Sequence, residues 1–259
     1  MPLTLLFPPS LGALKANVRA ELLERSLEAA LGEAVVVEVA PTYGELTSRL
    51  LSGDVEMAWA PPGVLAQVEK SARAILRAVR KGRSSYRSVL VGRKGEGLTT
   101  DRLPGTRAAW VDPLSSGGYL LCIKHLRGLG YEPELLFGEQ TFRGSYREAL
   151  AAVLANDADV APSSTPSDDE DVFQAALAVH IGGASKRLEP IFFTGETPND
   201  GLVLSGKLGA QAAKDILDKL FPVTKTQKLE RCPTFLLEVF EADDLVLAEK
   251  GTYAGVTGS

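Results

Sequence analysis

A chain of 259 residues, 45% hydrophobic and 24% charged, has the make-up of an ordinary globular protein, long enough for two modest domains or one large one. Its net charge of −5, with no dense Lys/Arg cluster, argues against a nucleic-acid surface but leaves room for a local pocket that takes an anion. No apolar run approaches the ~20 residues needed to cross a bilayer, so direct membrane insertion is not expected.

In chain order, MPLTLLFPPS enters a strand at residues 3–7 with no basic segment, long apolar core or small-residue cleavage site ahead of it. A periplasmic or extracellular location is expected if a leader has been removed, and a cytoplasmic one if Met1 is native. Ser10 can cap a helix over 14–31, and the β-branched run 35–39 is a strand. Thr42 and Glu45 form a capping box that opens a helix through Leu51. Residues 55–59 read as a buried strand stopped by Pro61-Pro62, with a helix at 64–71 and strands at 75–79 and 88–91. A second βα series follows: strand 108–111, helix 118–129, strand 135–137, a helix over 146–154 capped by Ser145, and strand 158–161. A short helical piece at 173–177, strands at 188–193 and 202–204, and helices at 211–220 and 234–240 complete the chain. This alternation predicts mainly parallel sheets covered by helices.

The stretch WVDPLSSGGYLLCIKHL, residues 110–126, carries the most chemistry. It reads as a buried strand end at Trp110-Val111, a turn at Asp112-Pro113, the hydroxyls Ser115 and Ser116, paired glycines and an apolar-periodic helix. That order gathers backbone N–H groups, two O–H donors and the positive end of a helix dipole around one point, a ready site for a tetrahedral oxyanion. The plain alternative is a capped helix that binds nothing, since Ser is a preferred cap. Cys122 and Cys232 permit one disulfide without requiring it, and Cys122 reads as a buried thiol. Cys122 and His125 form a CxxH pair with no second pair to complete a metal site; neither metal nor cofactor is expected. His180 is the only other histidine, which leaves little material for Ser-His-Asp or Cys-His catalysis. The acidic run 168–171 reads as a solvated loop or a helix start.

Five separated stretches then line up in order: YGELTSRLLSGDVEMAWAPP (43–62), GRSSYRSVLVGRK (82–94), the 110–126 segment, FRGSYREALAAVLANDADVA (142–161) and TPNDGLVLS (197–205). Together they resemble the phosphonate-, phosphite- and phosphate-binding (PhnD-like) members of the type II solute-binding proteins of ABC transporters. The resemblance implies an α/β chain with a two-lobe type II periplasmic-binding-protein-like fold. Each lobe would be a mixed, mainly parallel sheet with helices on both faces, joined to the other by two crossover strands. Lobe 1 would take residues 1–88 and 203–259, and lobe 2 residues 89–202. The implied function is non-enzymatic binding of a small phosphonate, phosphite or phosphate anion in the interlobe cleft, with an ABC permease as partner.

The resemblance also assigns roles. Ser115 and Ser116 fall where the family's hydroxyls donate to the oxyanion, and Gly117 keeps a backbone N–H where a third hydroxyl is usual. Tyr43 and Tyr86 match aromatics that close over the ligand. Tyr146, directly after Gly144-Ser145, replaces a usual histidine, and Asp200 matches an acidic position associated with a ligand's amino group. A phenol donates one hydrogen bond without charge, so Arg87, Arg147 and above all Arg143 are candidate compensating cations. Trp59, at a strand's C-terminal end, either lines the cleft or plugs the core. The alternative functions on the same fold are a leaderless lyase acting on a small carboxylate, with Asp112 or Asp200 as its acid or base, and a ligand-sensing regulatory module.

Overall fold

Strands and helices alternate from the first described residues of the computed structural model, which covers residues 2–9, 13–221 and 233–256. In chain order they are β1 (Leu3–Phe7), α1 (Ala13–Leu31), β2 (Val35–Val39), α2 (Tyr43–Ser52), β3 (Met57–Ala60), α3 (Pro62–Val68), β4 (Ala74–Val79) and β5 (Ser85–Arg93). Next come β6 (Arg107–Trp110), α4 (Leu121–Gly128), α5 (Pro133–Leu136), β7 (Glu139–Phe142), α6 (Tyr146–Leu154), β8 (Val160–Thr165), α7 (Glu170–Ile181) and β9 (Leu188–Phe193). The chain closes with β10 (Thr197–Pro198), β11 (Gly201–Leu204), α8 (Ala210–Leu220), α9 (Thr234–Phe240) and β12 (Asp244–Leu247). Ser10 and Cys232 lie outside the described residues, so the expected Ser10 cap and any pairing of Cys122 fall there too.

The chain divides into two units, Met1–Ser84 with Pro198–Gly255, and Ser85–Thr197 with Val256. The division falls at 84/85 and 197/198, where the sequence had placed it at 88/89 and 202/203. Unit 1 carries a mixed sheet in the order β12-β4-β11-β3-β1-β2. There β1 pairs in parallel with β2 and β3, while the returning β11 inserts antiparallel between β3 and β4. Local chemistry starts its helices: Thr42 Oγ1 accepts from Glu45 N at 3.1 Å, and Pro62 occupies the first turn of α3, where a missing N–H costs nothing. Its core joins Leu5, Phe7, Leu23, Leu27, Trp59, Leu76, Leu202, Ile216 and Phe240.

In unit 2, β6 lies between β7 and β8 and is parallel to both, while β5 runs antiparallel to β8 and β9. The two-residue alternation of a strand splits its side chains between two cores. Val89, Val91 and Ala109 meet α6 and α7 through Leu150, Val153, Phe173 and Leu177. Leu90, Ala108 and Trp110 meet α4 and its neighbours through Cys122, Ile123, Leu126 and Phe137. Among the described residues no helix is long and apolar enough to cross a membrane, and no three His, Cys, Asp or Glu residues gather as a metal group.

Four local expectations are corrected. Residues 133–136 form a helical turn opened by Pro133, and the strand follows at 139–142; a Leu-Leu-Phe run does not separate a buried turn from a strand. The strand expected at 158–161 runs from 160 through Pro162 to Thr165, held in register by β5 as far as Arg87↔Thr165. The helical piece expected at 173–177 is the twelve-residue α7, because Asp169 in the acidic run caps it and accepts from Val172 N at 3.1 Å. The helix expected from Gly118 to Leu129 is a wide, π-wound turn over Ser116–Leu120 followed by α4.

The N-terminal edges of β6 and β8 are clamped by Asp159. Its carboxylate accepts from Arg107 N at 2.8 Å, from Arg107 Nη2 at 2.8 Å and from Arg93 Nη2 at 3.2 Å. Arg93 Nη1 also reaches the carbonyls of Val153 and Ala158. Hydrogen bonds from Arg107, then from Arg93, hold the Asp159 carboxyl well below the usual carboxylate range. A depressed folded pKa contributes stability that is complete above the unfolded value of about 3.9 and is lost as pH falls below it. Asp159→Asn is therefore expected to cost about 1–3 kcal/mol at pH 7 and to flatten the loss of stability below about pH 4, measured by urea unfolding from pH 2.5 to 7. An acid limb as steep as that of the unaltered protein would contradict this.

Candidate functional site

The C-terminal ends of β6 and β8 are where an open α/β sheet receives ligands, and the chain builds a wall of donors there. Trp110 ends β6 fully buried, edge-on to Tyr119 and Phe137, with ring centroids at 5.3 and 5.5 Å. Its Nε1 donates to Gln140 Oε1 at 2.9 Å. The chain then reverses on Asp112, whose carboxylate accepts from Leu114 N (2.8 Å) and whose carbonyl accepts from Ser115 N (3.0 Å).

Ser115 caps the next turn, its Oγ accepting from Gly118 N at 3.2 Å. A hydroxyl that accepts in this way still has its own proton to give. Leu120 N donates to Ser115 O and Leu121 N to Ser116 O, which is the five-residue spacing of a π turn. Amide N–H groups at the head of such a turn have no acceptor inside it. Ser115 and Ser116 are both buried in it.

Two further contacts fix the turn. Val111 N donates to Gly118 O at 3.1 Å, which ties the turn to the strand end. Ser88 Oγ, fully buried on β5, donates to Gly117 O at 2.6 Å and lies 3.2 Å from Ser163 O and 3.3 Å from Cys122 Sγ. Burial pushes the Cys122 thiol up to about 12, so it stays protonated and able to donate to Ser88.

The start of α6 is stitched to the same strand end. Arg143 N donates to Trp110 O at 2.8 Å and Gly144 N to Val111 O at 2.9 Å. Gly144 turns the chain at φ +80°, a value few residues other than glycine adopt readily. Ser145 Oγ then caps α6 through Glu148 N. The outcome is a convergence on Gly117: a Cβ placed there would lie 2.5 Å from Tyr146 Oη, 3.1 Å from Tyr86 Cε2 and 3.6 Å from Ser164 Cβ. Four elements, namely β5, the π turn, α6 and β8, thus meet at one point within unit 2, where the Tyr146 hydroxyl, the edge of the Tyr86 ring and the Ser164 side chain surround Gly117.

A profile of the family described as "ABC transporter, phosphonate, periplasmic substrate-binding protein" matches residues 7–250. The chain belongs to this family. Among solved structures, a binding-protein component of an ABC phosphonate transporter from Pseudomonas aeruginosa is similar, with a TM-score of 0.77 at 16% identity over 97% of this chain and 83% of that one. PhnD1 from Prochlorococcus marinus, in complex with methylphosphonate, superposes with a TM-score of 0.74 at 19% identity over 97% and 94% of the two chains. A Xanthomonas citri protein bound to ATP superposes with a TM-score of 0.78 at 16% identity over 99% and 97%. A search of curated proteins gave no match. The two mixed sheets with their helices are therefore the type II periplasmic-binding fold.

In this phosphonate-family binding protein the expected residues separate by location. Ser115, Ser116, Gly117, Tyr86, Ser145 and Tyr146 all belong to the unit 2 constellation. Tyr43, in unit 1, is the first residue of α2 and is buried. Trp59 packs in the core, the second of the two readings open for it: its indole stacks on Phe240 at 3.8 Å and 6° within the unit 1 cluster. Asp200 is held by Arg80, whose Nη1 and Nη2 donate to its two oxygens at 2.5 and 3.1 Å. An amino group reaching Asp200 would share its carboxylate with that guanidinium.

The candidate cations are also accounted for. Arg87 is engaged by Asp168 at 3.0 Å and Glu196 at 3.4 Å, so its charge is already matched. Arg143 is exposed, with Nε donating to Thr141 Oγ1, and Arg147 lies on the exposed side of α6. Sequence reasoning missed Ser88 and Ser164. The only signal for Ser88 was one small polar residue opening the apolar run 89–91, and Ser164 gave none.

Proposed function

We propose that this chain binds a small phosphoryl-type oxyanion, a phosphonate, phosphite or phosphate, at the head of the Ser116–Leu120 turn, and passes it unchanged to an ABC permease. The convergence of four elements on Gly117 carries this reading. Neutral donors and a helix start suit a tetrahedral anion, because each phosphoryl oxygen accepts several hydrogen bonds and no counter-charge has to be buried with it. Methylphosphonate and ATP, held by the Prochlorococcus and Xanthomonas proteins, both present phosphoryl oxygens. The acid or base that a lyase needs finds little support: the Asp112 carboxylate is occupied in its own turn and Asp200 by Arg80.

Calorimetric titration with phosphate, phosphite, methylphosphonate and aminoethylphosphonate is expected to give saturable one-to-one heat with at least one of them. The same ligand at a hundred times its Kd should stabilise the protein by about 2.7 kcal/mol. Phosphorus NMR of the mixture should show the ligand unaltered. Silence with all four ligands, in heat and in Tm alike, would sink the reading, and turnover of any of them would replace binding with catalysis.

A further inference from the structure

We propose that Gly117 and Tyr146 form a single recognition unit, in which the side chain absent at 117 is the seat of the Tyr146 phenol. The hydroxyl offered to the ligand at this point then comes from α6 rather than from the turn. The inference rests on the oxyanion reading of unit 2 for its functional meaning, but its geometry stands on its own. A Cβ on residue 117 would lie 2.5 Å from Tyr146 Oη and 3.1 Å from Tyr86 Cε2, inside normal contact distance.

Neither partner has an easy retreat. On one side, Gly117 O is held by the buried Ser88 Oγ at 2.6 Å, and Gly118 is tied to both Ser115 and Val111. On the other, Tyr146 is fixed at its backbone by the Ser145 cap and the Gly144 amide. Its ring stacks on His180 at 5.0 Å and 29°, a contact that a swing of the ring would give up. A hydroxyl on a rigid aromatic placed by α6 reaches the anion from a different direction than a serine on the turn would. The pair therefore sets where one donor points, and the two positions can change only together.

The test is a double-mutant cycle on the full-length protein, read with methylphosphonate and phosphate by calorimetry and, without ligand, by Tm. Gly117→Ser is expected to lose about 100-fold in affinity and to lower Tm by about 5 °C, since overpacking at a fixed site is destabilising. Tyr146→Phe, which removes only the hydroxyl, should lose about 10-fold with Tm unchanged, and Tyr146→Ala alone supplies the second single variant that closes the cycle. Gly117→Ser/Tyr146→Ala should regain most of the Tm and bind at least 10-fold more tightly than Gly117→Ser alone, because the space is then free. If Gly117→Ser does not fold, restoration of folding by Tyr146→Ala is the same coupling. Losses that simply multiply in affinity and add in Tm, or a double variant as unfolded as the single one, overturn the pair. Should the unaltered protein bind no oxyanion, the oxyanion reading fails while the ligand-free Tm cycle still decides the coupling.

Discussion

Gly118→Ala is expected to abolish measurable oxyanion binding and to destabilise the protein by about 2–3 kcal/mol. A Cβ at this position would sit 2.5 Å from Val111 Cβ and 2.6 Å from both Val111 Cγ2 and Ser115 Oγ. These atoms belong to the strand end and the cap, and neither is the loose tip of a long side chain. Relief would also break hydrogen bonds, since Gly118 N donates to Ser115 Oγ and Gly118 O accepts from Val111 N. Moving the turn outward separates Ser115, Ser116 and the turn's amides from Tyr146, so the donors no longer share a focus. Urea unfolding with calorimetry on the same sample measures both effects. A variant within about 0.5 kcal/mol of the unaltered protein that still binds would show that the turn is not the site. The neighbouring Gly117 differs in kind, because what its Cβ meets is a phenol hydroxyl that one second substitution can remove.

Much of the site was legible because it is local. The caps at Thr42 and Ser145 follow from side chains reaching amides three residues on, and the order strand, Asp-Pro turn, serines and glycines named the 110–118 region without tertiary knowledge. The partners of that turn were not local. Tyr86 and Tyr146 entered through resemblance to a family, and nothing in composition or periodicity brings residues 86, 117, 146 and 164 together. Ser88 was passed over because a small polar residue beside an apolar run looks like a strand edge until its carbonyl partners are seen. Arg87 looked like a spare cation because Asp168 and Glu196 lie 81 and 109 residues away along the chain. Winding was equally hidden: two glycines make a wide turn affordable, but the sequence does not say that Ser116–Leu120 takes it in place of a regular α-turn.

The same constraints place the Asp159 clamp and the proposed recognition site at opposite ends of the unit 2 sheet. Asp159 pins the start of β6 and β8 through Arg107 and Arg93. At the other end, the turn around Gly117 is tied to the strand end and to β5, through Val111 N to Gly118 O and Ser88 Oγ to Gly117 O. The recognition proposed at Gly117 would therefore depend on what holds Trp110 and Val111.

That dependence makes Trp110→Ala the substitution with the largest expected effect on stability, about 3–5 kcal/mol and on the order of a 10 °C fall in Tm. The indole is fully buried and fills the space between Tyr119 and Phe137, and edge-on aromatic pairs are worth about 0.5–1.5 kcal/mol each beyond their buried area. The loss should not stop at packing. Trp110 O and Val111 O receive the amides of Arg143 and Gly144, so a slackened strand end also frees the start of α6 and the Tyr146 it carries. Trp110→Phe separates the two contributions: it keeps an aromatic in the space and gives up the bond to Gln140, so it should cost about 1–2 kcal/mol and leave affinity within about threefold. Binding that survives Trp110→Ala undiminished, in protein shown to be folded by thermal melting, would mean that α6 is positioned from elsewhere and that the strand end is only core.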